Sequence, residues 1–164
     1  AFERLRADGV FCLVKHYNLA EIESLLREPL TVGPRKVRYR FPNQRARRVW
    51  KMREVLASSA ISMDDPLALR EELMGIEGVG PKTASWVVRN LLGSDEVAIL
   101  DVHIVRVCQK LGLFPREVSL PRDYRKLEAI FLGFANSGGV SSAALDATIW
   151  AEARTVPAEA WRLT

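Results

Sequence analysis

At 164 residues, 48% hydrophobic and 27% charged, the chain can bury a sizeable core and has the composition of an ordinary globular domain. No apolar stretch reaches membrane-spanning length, and the amino terminus lacks a secretory-signal pattern, so membrane proteins and secreted disulfide scaffolds are set aside. Cys12 and Cys108 are too few for a four-cysteine zinc or iron–sulfur site; both fall in apolar helical patterns, are expected to be buried free thiols, and suit a reducing cytosol.

In chain order, residues 20–27 are expected to form a short helix and 30–42 an irregular loop punctuated by Gly33, Pro34 and Pro42. Residues 43–58 form a basic helix capped by Asn43, with Ala46, Val49, Trp50 and Leu56 on its inward face. Pro66 opens a helix through Met74. Helical spacing recurs at Ala84, Val87, Val88 and Leu91, at Ile104, Val107, Cys108 and Leu111, and at Tyr124, Leu127, Phe131 and Phe134. A last helix starts near Ser141 or Ser142 and carries Leu145, Ile149 and Trp150. Strand alternation is nowhere sustained, and repeats and low-complexity linkers are absent. The fold class is all-α.

The net charge of +4 is unevenly spread. Arg35, Lys36, Arg38, Arg40, Arg45, Arg47, Arg48, Lys51 and Arg53 follow one another with no intervening acid, so residues 35–53 carry +9 and the rest of the chain −5. A solvated helix face normally interleaves glutamates. A concentrated basic stripe on an acidic remainder points to a polyanion, with nucleic acid the first partner to consider and an acidic protein surface the second.

The stretch GIEGVGPKTASWVVRNLLGSDEVAILDVHI, residues 75–104, carries the chemistry. Residues 73–92 read as helix, tight turn, helix, with Gly78 and Gly80 flanking Val79, which plugs the turn into the core. Glycines permit positive φ and leave backbone N–H groups bare, and a helix opening at Pro81 adds its positive end, so the turn can hold one backbone phosphate. Lys82, near that helix start, is either a phosphate contact or a nucleophile whose amine form is favoured by partial desolvation and neighbouring cations. Asp101 follows the apolar run VAIL at the start of the next helix. It can cap that helix, and it can also serve as the lysine's electrostatic partner.

With these residues in view, GVGPK followed by LDVHI resembles the helix-hairpin-helix DNA glycosylases. Within that superfamily, VRYRFPNQRARRVWKMREV and LDATIWAEA resemble the short second, archaeal-type class of 8-oxoguanine DNA glycosylase/AP lyase; the likeness runs from about Val37 to Trp150. The resemblance implies one glycosylase domain over 1–164, built of two helical subdomains with the active site in the cleft between them. It implies a DNA-facing stripe at 35–53 and a C-terminal segment, 141–164, near the base pocket.

By the same resemblance, Lys82 is the nucleophile and Schiff-base lysine, and Asp101 stabilises positive charge on the sugar and orients or deprotonates the lysine. Gly78, Gly80 and His103 hold phosphates, with Arg45, Arg47 and Arg48 on the DNA backbone. Trp150 and Phe41 wall the base pocket. The implied partner is double-stranded DNA containing a damaged base, met by a monomer in the cytoplasm at the nucleoid, without metal or cofactor. The family pattern has a helical segment before the point where Ala1 begins and closes on a lysine whose carboxylate reads the oxidised base. Here VPAEAWRLT follows instead, so a carbonyl or side chain of that segment is expected to substitute. An endonuclease III-like enzyme for oxidised pyrimidines shares the hairpin, lysine and aspartate but carries a four-cysteine cluster. A non-catalytic DNA-binding module would use Lys82 for phosphate and Asp101 as a cap only.

Overall fold

The structure, a computed structural model, describes residues 1–58, 61–153 and 155. Eight helices run α1 (Phe2–Ala7), α2 (Leu19–Arg27), α3 (Pro42–Ser58), α4 (Pro66–Met74), α5 (Pro81–Leu92), α6 (Val102–Lys110), α7 (Tyr124–Ser137) and α8 (Ser142–Ala153) among the described residues. The chain divides into two compact units, one of residues 1–61 with 76–78, the other of residues 62–75 with 79–164.

In the first unit α2 packs on α1 and α3 around Leu5, Val10, Ile22, Leu26, Ala46 and Val49. The start of α2 is fixed by reciprocal bonds: the Asn18 side chain accepts from Glu21 N at 3.0 Å, and Glu21 accepts from Asn18 N at 2.8 Å. On α3 the buried positions are Ala46, Val49 and Arg53, one face at helical spacing. Arg53 therefore leaves the basic stripe and turns inward. Its guanidinium donates to the carbonyls of Val10, Cys12 and Lys15 and lies 5.6 Å from the centre of the Tyr17 ring. Those carbonyls belong to the turns of residues 8–15, where the apolar run that reads as helix is broken at Gly9, φ +81°. Cys12 sits in these turns and is exposed, not buried, and free; Cys108 is buried and free, and burial pushes its thiol up to about 11.

The expected loop at 30–42 holds a small antiparallel hairpin, β1 (Leu30–Val32) and β2 (Arg35–Val37), paired Leu30 to Val37 and Val32 to Arg35. Gly33 at φ +58° and Pro34 make its bend. Three-residue strands are too short to show alternation in sequence. Helix α3 then starts at Pro42, one residue early, because proline suits a first helical position. Asn43 consequently lies inside the first turn and accepts from Arg27 at 2.9 Å rather than capping α3. Leu56 is exposed.

In the second unit α4 packs on α5, and α8 packs on α6 and α7. Its core comprises Ala98, Leu100, Ile104, Val105, Cys108, Phe114, Tyr124, Leu127 and Phe131; full burial of each large apolar side chain is worth about 1.5–3 kcal/mol. Leu91 lies at the end of α5 and Leu111 just past the end of α6, 67% exposed, while Phe134 falls off the face of α7 that buries Tyr124, Leu127, Phe131 and Ala135; all three are exposed. No helix among the described residues is long and apolar enough to cross a membrane.

Candidate active site

Helix α5 opens at Pro81 with Gly80 as its N-cap, extended at φ −97° and ψ 175°. No side chain caps this start, so the first-turn N–H groups face outward without a side-chain acceptor. Lys82 is the second residue of the helix and is exposed, not partly desolvated as the sequence suggested. Gly80 does not use positive φ. Gly78 does, at φ +90°, and a Cβ there would lie 2.6 Å from Arg48 Cδ and Nε. Glycine at this position thus makes room for an arginine as well as permitting the bend. The residue of the turn that enters the core is Ile76, 4% exposed; Val79 is only half-buried.

Asp101 is the N-cap of α6. Its Oδ1 accepts from His103 N at 2.8 Å and Ile104 N at 2.9 Å, which leaves Oδ2 available for other work. His103 is half-buried in the first turn of the same helix.

What delivers Asp101 is the run Val97–Leu100. It pairs with no strand; its backbone is met by side chains from three helices. Arg89 of α5 donates to Val97 O at 3.1 Å, as does Ser142 of α8 at 3.3 Å, and Ala98 N donates to Glu128 of α7 at 2.9 Å. The Tyr124 hydroxyl, also of α7, donates to Ala98 O at 2.7 Å and accepts from Leu100 N at 3.1 Å. Glu128 is in turn ion-paired with Arg70 of α4, both nearly buried. Burial pushes the Tyr124 phenol up, which keeps it a neutral donor. Each buried backbone group here would cost about 1–3 kcal/mol if left unpaired.

Arg89 also pairs with Asp146 of α8, the two side chains being 11% and 13% exposed. Burial raises the Asp146 carboxyl above the ordinary carboxylate range, and the charge of Asp101 pushes the same way. The hydrogen bond and charge of Arg89, and the charge of Lys82, oppose that rise. Lys82 and Asp101 thus count, with opposite signs, among the weaker influences on this half-buried carboxylate. Arg89, Glu128 and Asp146 were not singled out in the sequence, and Tyr124 was read there only as part of a helical spacing. The available signal was a charged residue in a core-facing slot, as Glu128 is between Tyr124, Leu127 and Phe131.

In the basic stripe Arg45 and Arg47 are exposed, and Arg45 Nε donates to the Tyr39 hydroxyl at 3.2 Å. Arg48 is half-buried against Gly78. The acid missing from the stripe in sequence is supplied in space by Glu77, which meets Lys51 at 3.0 Å and Arg47 at 3.4 Å. The hydrogen bond from Lys51, with the charges of Arg47, Lys51 and Arg48, holds the Glu77 carboxyl below its ordinary value. Phe41, in the first unit, is 52% exposed with the Arg40 guanidinium 4.9 Å from its ring centre. Trp150, in the second unit, is 43% exposed on α8. The segment VPAEAWRLT lies outside the described residues. Among the described residues no group of three or more His, Cys, Asp or Glu could hold a metal.

The family model described as 8-oxoguanine DNA glycosylase, of helix-hairpin-helix type, matches residues 5–140. The chain belongs to this 8-oxoguanine DNA glycosylase family. Within the family it is 30% identical over 145 residues to the 8-oxoguanine DNA glycosylase/AP lyase of Metallosphaera sedula, covering 84% of this chain and 66% of that one. It is 32% identical over 140 residues to the protein of the same name from Thermotoga petrophila, covering 82% and 63%. The chain thus spans slightly less than two thirds of these relatives' length. The crystal structure of the 8-oxoguanine DNA glycosylase of Thermotoga maritima matches with a TM-score of 0.65 at 31% identity, over 91% of this chain and 68% of that one. The family match ends before α8, so Asp146 and Trp150 lie outside it.

Proposed function

We propose that the protein is a base-excision-repair enzyme, a bifunctional DNA glycosylase and AP lyase that removes 8-oxoguanine from duplex DNA. One observation carries the reading: in a chain of this family, Lys82 stands exposed at the uncapped head of α5, directly behind the hairpin glycines, while Asp101 caps α6 through Oδ1 alone and keeps a second carboxylate oxygen for the reaction. A nucleophile needs an electrostatic partner close to the reacting carbon, and Asp101 is proposed for that role.

The chemistry follows from the groups. The target nucleotide is turned out of the stack, at a cost of a few kcal/mol. Lys82 Nζ, as the neutral amine, attacks C1′ while the glycosidic electron pair leaves with the base, which takes up a proton. The nitrogen loses its proton, the sugar ring opens, and a Schiff base results. Loss of a C2′ proton then expels the 3′ phosphate by β-elimination. Asp101 opposes the positive charge that develops on the sugar in the first step. Lys82 is hydrated in the free protein, so bound DNA supplies the desolvation that favours its amine form.

Gly78, the uncapped first turn behind Gly80, and His103 receive phosphates of the damaged strand. Arg45 and Arg47 supply backbone charge, and Arg48 stiffens the hairpin from beneath Gly78. Trp150 and Phe41 are the aromatic groups proposed to stack on bases, worth roughly 1–3 kcal/mol per base. Stacking does not distinguish 8-oxoguanine from guanine. An acceptor facing the N7 hydrogen does, and the segment 141–164 is its proposed source. The scheme uses no cofactor and one copy of the chain, and its setting is cytoplasmic, at the nucleoid.

Incubation with an 8-oxoguanine duplex and borohydride should trap a covalent adduct with wild type and none with Lys82→Ala. Equal trapping by the variant rejects the nucleophile. Release of thymine glycol but not 8-oxoguanine, side by side, rejects the substrate.

A further inference from the structure

The cations of the basic stripe fall into two groups in space. On α3, Arg47 and Lys51 meet Glu77, Arg45 donates to Tyr39, and Arg53 turns inward. On the hairpin the side chains of Arg35 and Lys36, with Arg38 just beyond β2, are exposed and make no hydrogen bond or ion pair among the described residues. Of the six strand residues only Leu30 is half-buried, and Val32 and Val37 are 60% and 40% exposed. A two-stranded hairpin with both faces in water is marginal alone, yet this one is fastened at its feet. At the entering foot Arg4 of α1 donates to Glu28 O at 2.9 Å and Pro29 O at 2.8 Å. At the leaving foot Arg27 of α2 donates to Asn43 Oδ1 at 2.9 Å. A basic ribbon on a fixed neck meets a polyanion with little ordering left to do.

Dimensions select the surface of DNA that it fits. With side chains standing out on both faces the ribbon is about 10 Å through. That is too wide for the minor groove, about 6 Å, and suits the major groove, about 12 Å. Three paired rungs extend about 10 Å, enough to reach a groove floor about 8.5 Å deep. The pairing of Val32 with Arg35 and of Thr31 with Lys36 puts Arg35 on one face, beside the bend, and Lys36 on the other, one rung back. A ribbon entering tip first therefore carries one cation to the base edges and turns others toward the groove walls.

We propose that the β1–β2 hairpin is a separate DNA-contact element that enters the major groove tip first, with Arg35 on base edges and Lys36 and Arg38 on the flanking phosphates. The inference rests on the DNA-glycosylase reading and deepens it, adding a groove contact to the backbone charge that α3 supplies. Guanine presents two acceptors, N7 and O6, in the major groove and is the base an arginine fits best. The hairpin thus gives the protein a preference for guanine at the position its tip reaches.

Two measurements on the full chain test this. In the first, the protein is bound to a duplex carrying one abasic-site analogue, which fixes its position, and guanine N7 is probed with dimethyl sulfate. Wild type should protect guanines in the major groove on one side of the analogue. The variant Arg35→Gln/Lys36→Gln/Arg38→Gln changes only exposed side chains and should melt like wild type. It should lose that protection, bind on the order of tenfold more weakly, and show a salt slope lower by up to about two units for the two phosphates given up. In the second, 7-deazaguanine replaces guanine throughout an undamaged duplex, which should weaken binding of wild type and leave the variant unaffected. Wild type that protects no N7, or a variant that keeps the protection, overturns the proposal even where affinity falls. A variant that binds both duplexes as wild type does also overturns it and assigns the hairpin to an acidic protein surface instead. The second comparison needs neither lesion nor chemistry. If wild type ignores the analogue but still senses 7-deazaguanine, the glycosylase reading fails and the hairpin contact stands.

Discussion

Replacing Asp101 by asparagine separates two jobs that one side chain performs. The first is structural: Oδ1 accepts from His103 N and Ile104 N at 2.8 and 2.9 Å. Asparagine offers the same oxygen in the same position and caps helices about as well as aspartate, so both bonds survive. What is lost is the carboxylate's attraction to the positive end of α6, about 0.3–1 kcal/mol. For a chain of this size that corresponds to a fall in Tm of about 1–4 °C. The second job is electrostatic. A charge opposing the cation that develops on the sugar is worth on the order of a hundredfold to a thousandfold in rate, roughly 2.7–4 kcal/mol. The chemical loss therefore exceeds the folding loss several times over, and the variant should be folded yet nearly inactive. Single-turnover release of 8-oxoguanine at 25 °C, alongside thermal melts by circular dichroism, reads both quantities from one preparation. Asp101→Ser, which caps without charge, should behave like the asparagine variant. Rates within about threefold of wild type in folded Asp101→Asn would refute the reasoning and leave the residue as a helix cap.

Three other outcomes follow from the geometry. Gly78→Ala must adopt φ near +90° and push Arg48 aside, since its Cβ would sit 2.6 Å from Arg48 Cδ; a loss of about 1–3 kcal/mol in urea unfolding is expected, and a neutral result would remove the hairpin's need for glycine. Arg53→Met strips three carbonyls of their donor and should cost on the order of 3 kcal/mol by the same assay, whereas an exposed DNA-facing arginine would cost almost nothing. Glu77→Gln releases Arg47 and Lys51 and should steepen the salt dependence of duplex binding by up to about one unit of slope for each further phosphate these cations neutralise; an unchanged slope would put the DNA elsewhere. Because the Glu77 carboxyl is held low, its ion pairs persist above the ordinary carboxylate range and are lost as pH falls through the lowered value, so the variant should differ from wild type at neutral pH and converge with it in acid.

Local signals carried the helices well. Pro66, Pro81 and the run of Ala84, Val87 and Val88 set starts and faces through rules that act within one or two turns, and α4 and α5 begin at those prolines. What escaped was decided at a distance. Arg53 reads as one more cation in a basic run, and only the turns around Val10 and Lys15, some forty residues earlier, make it a buried hydrogen-bond donor. Cys12 sits in an apolar stretch that would bury it as a helix, but Gly9 at φ +81° breaks that helix into turns. The stripe at 35–53 has no acid in sequence because its acid, Glu77, comes from the hairpin bend.

The same distinction governs the candidate site. Lys82 and Asp101 are legible because each sits beside a local marker, a glycine turn for one and a helix start for the other. Their support is not, because residues 93–100, which lead from α5 to Asp101, have no regular structure of their own. Val97 and Ala98 are fully buried and Leu100 nearly so, although their backbone joins no sheet. A buried strand without a partner strand is viable only if side chains replace the ladder, which requires donors and acceptors in the core. Arg89, Tyr124, Glu128 and Ser142 are those groups, drawn from three helices, and Arg70 compensates Glu128 from a fourth. An all-apolar version of this core would pack equally well and leave four backbone groups unmet. The charged residues inside the second unit are thus explained by the extended approach to Asp101, and the position of that carboxylate depends on polar chemistry in four helices rather than on the loop that carries it.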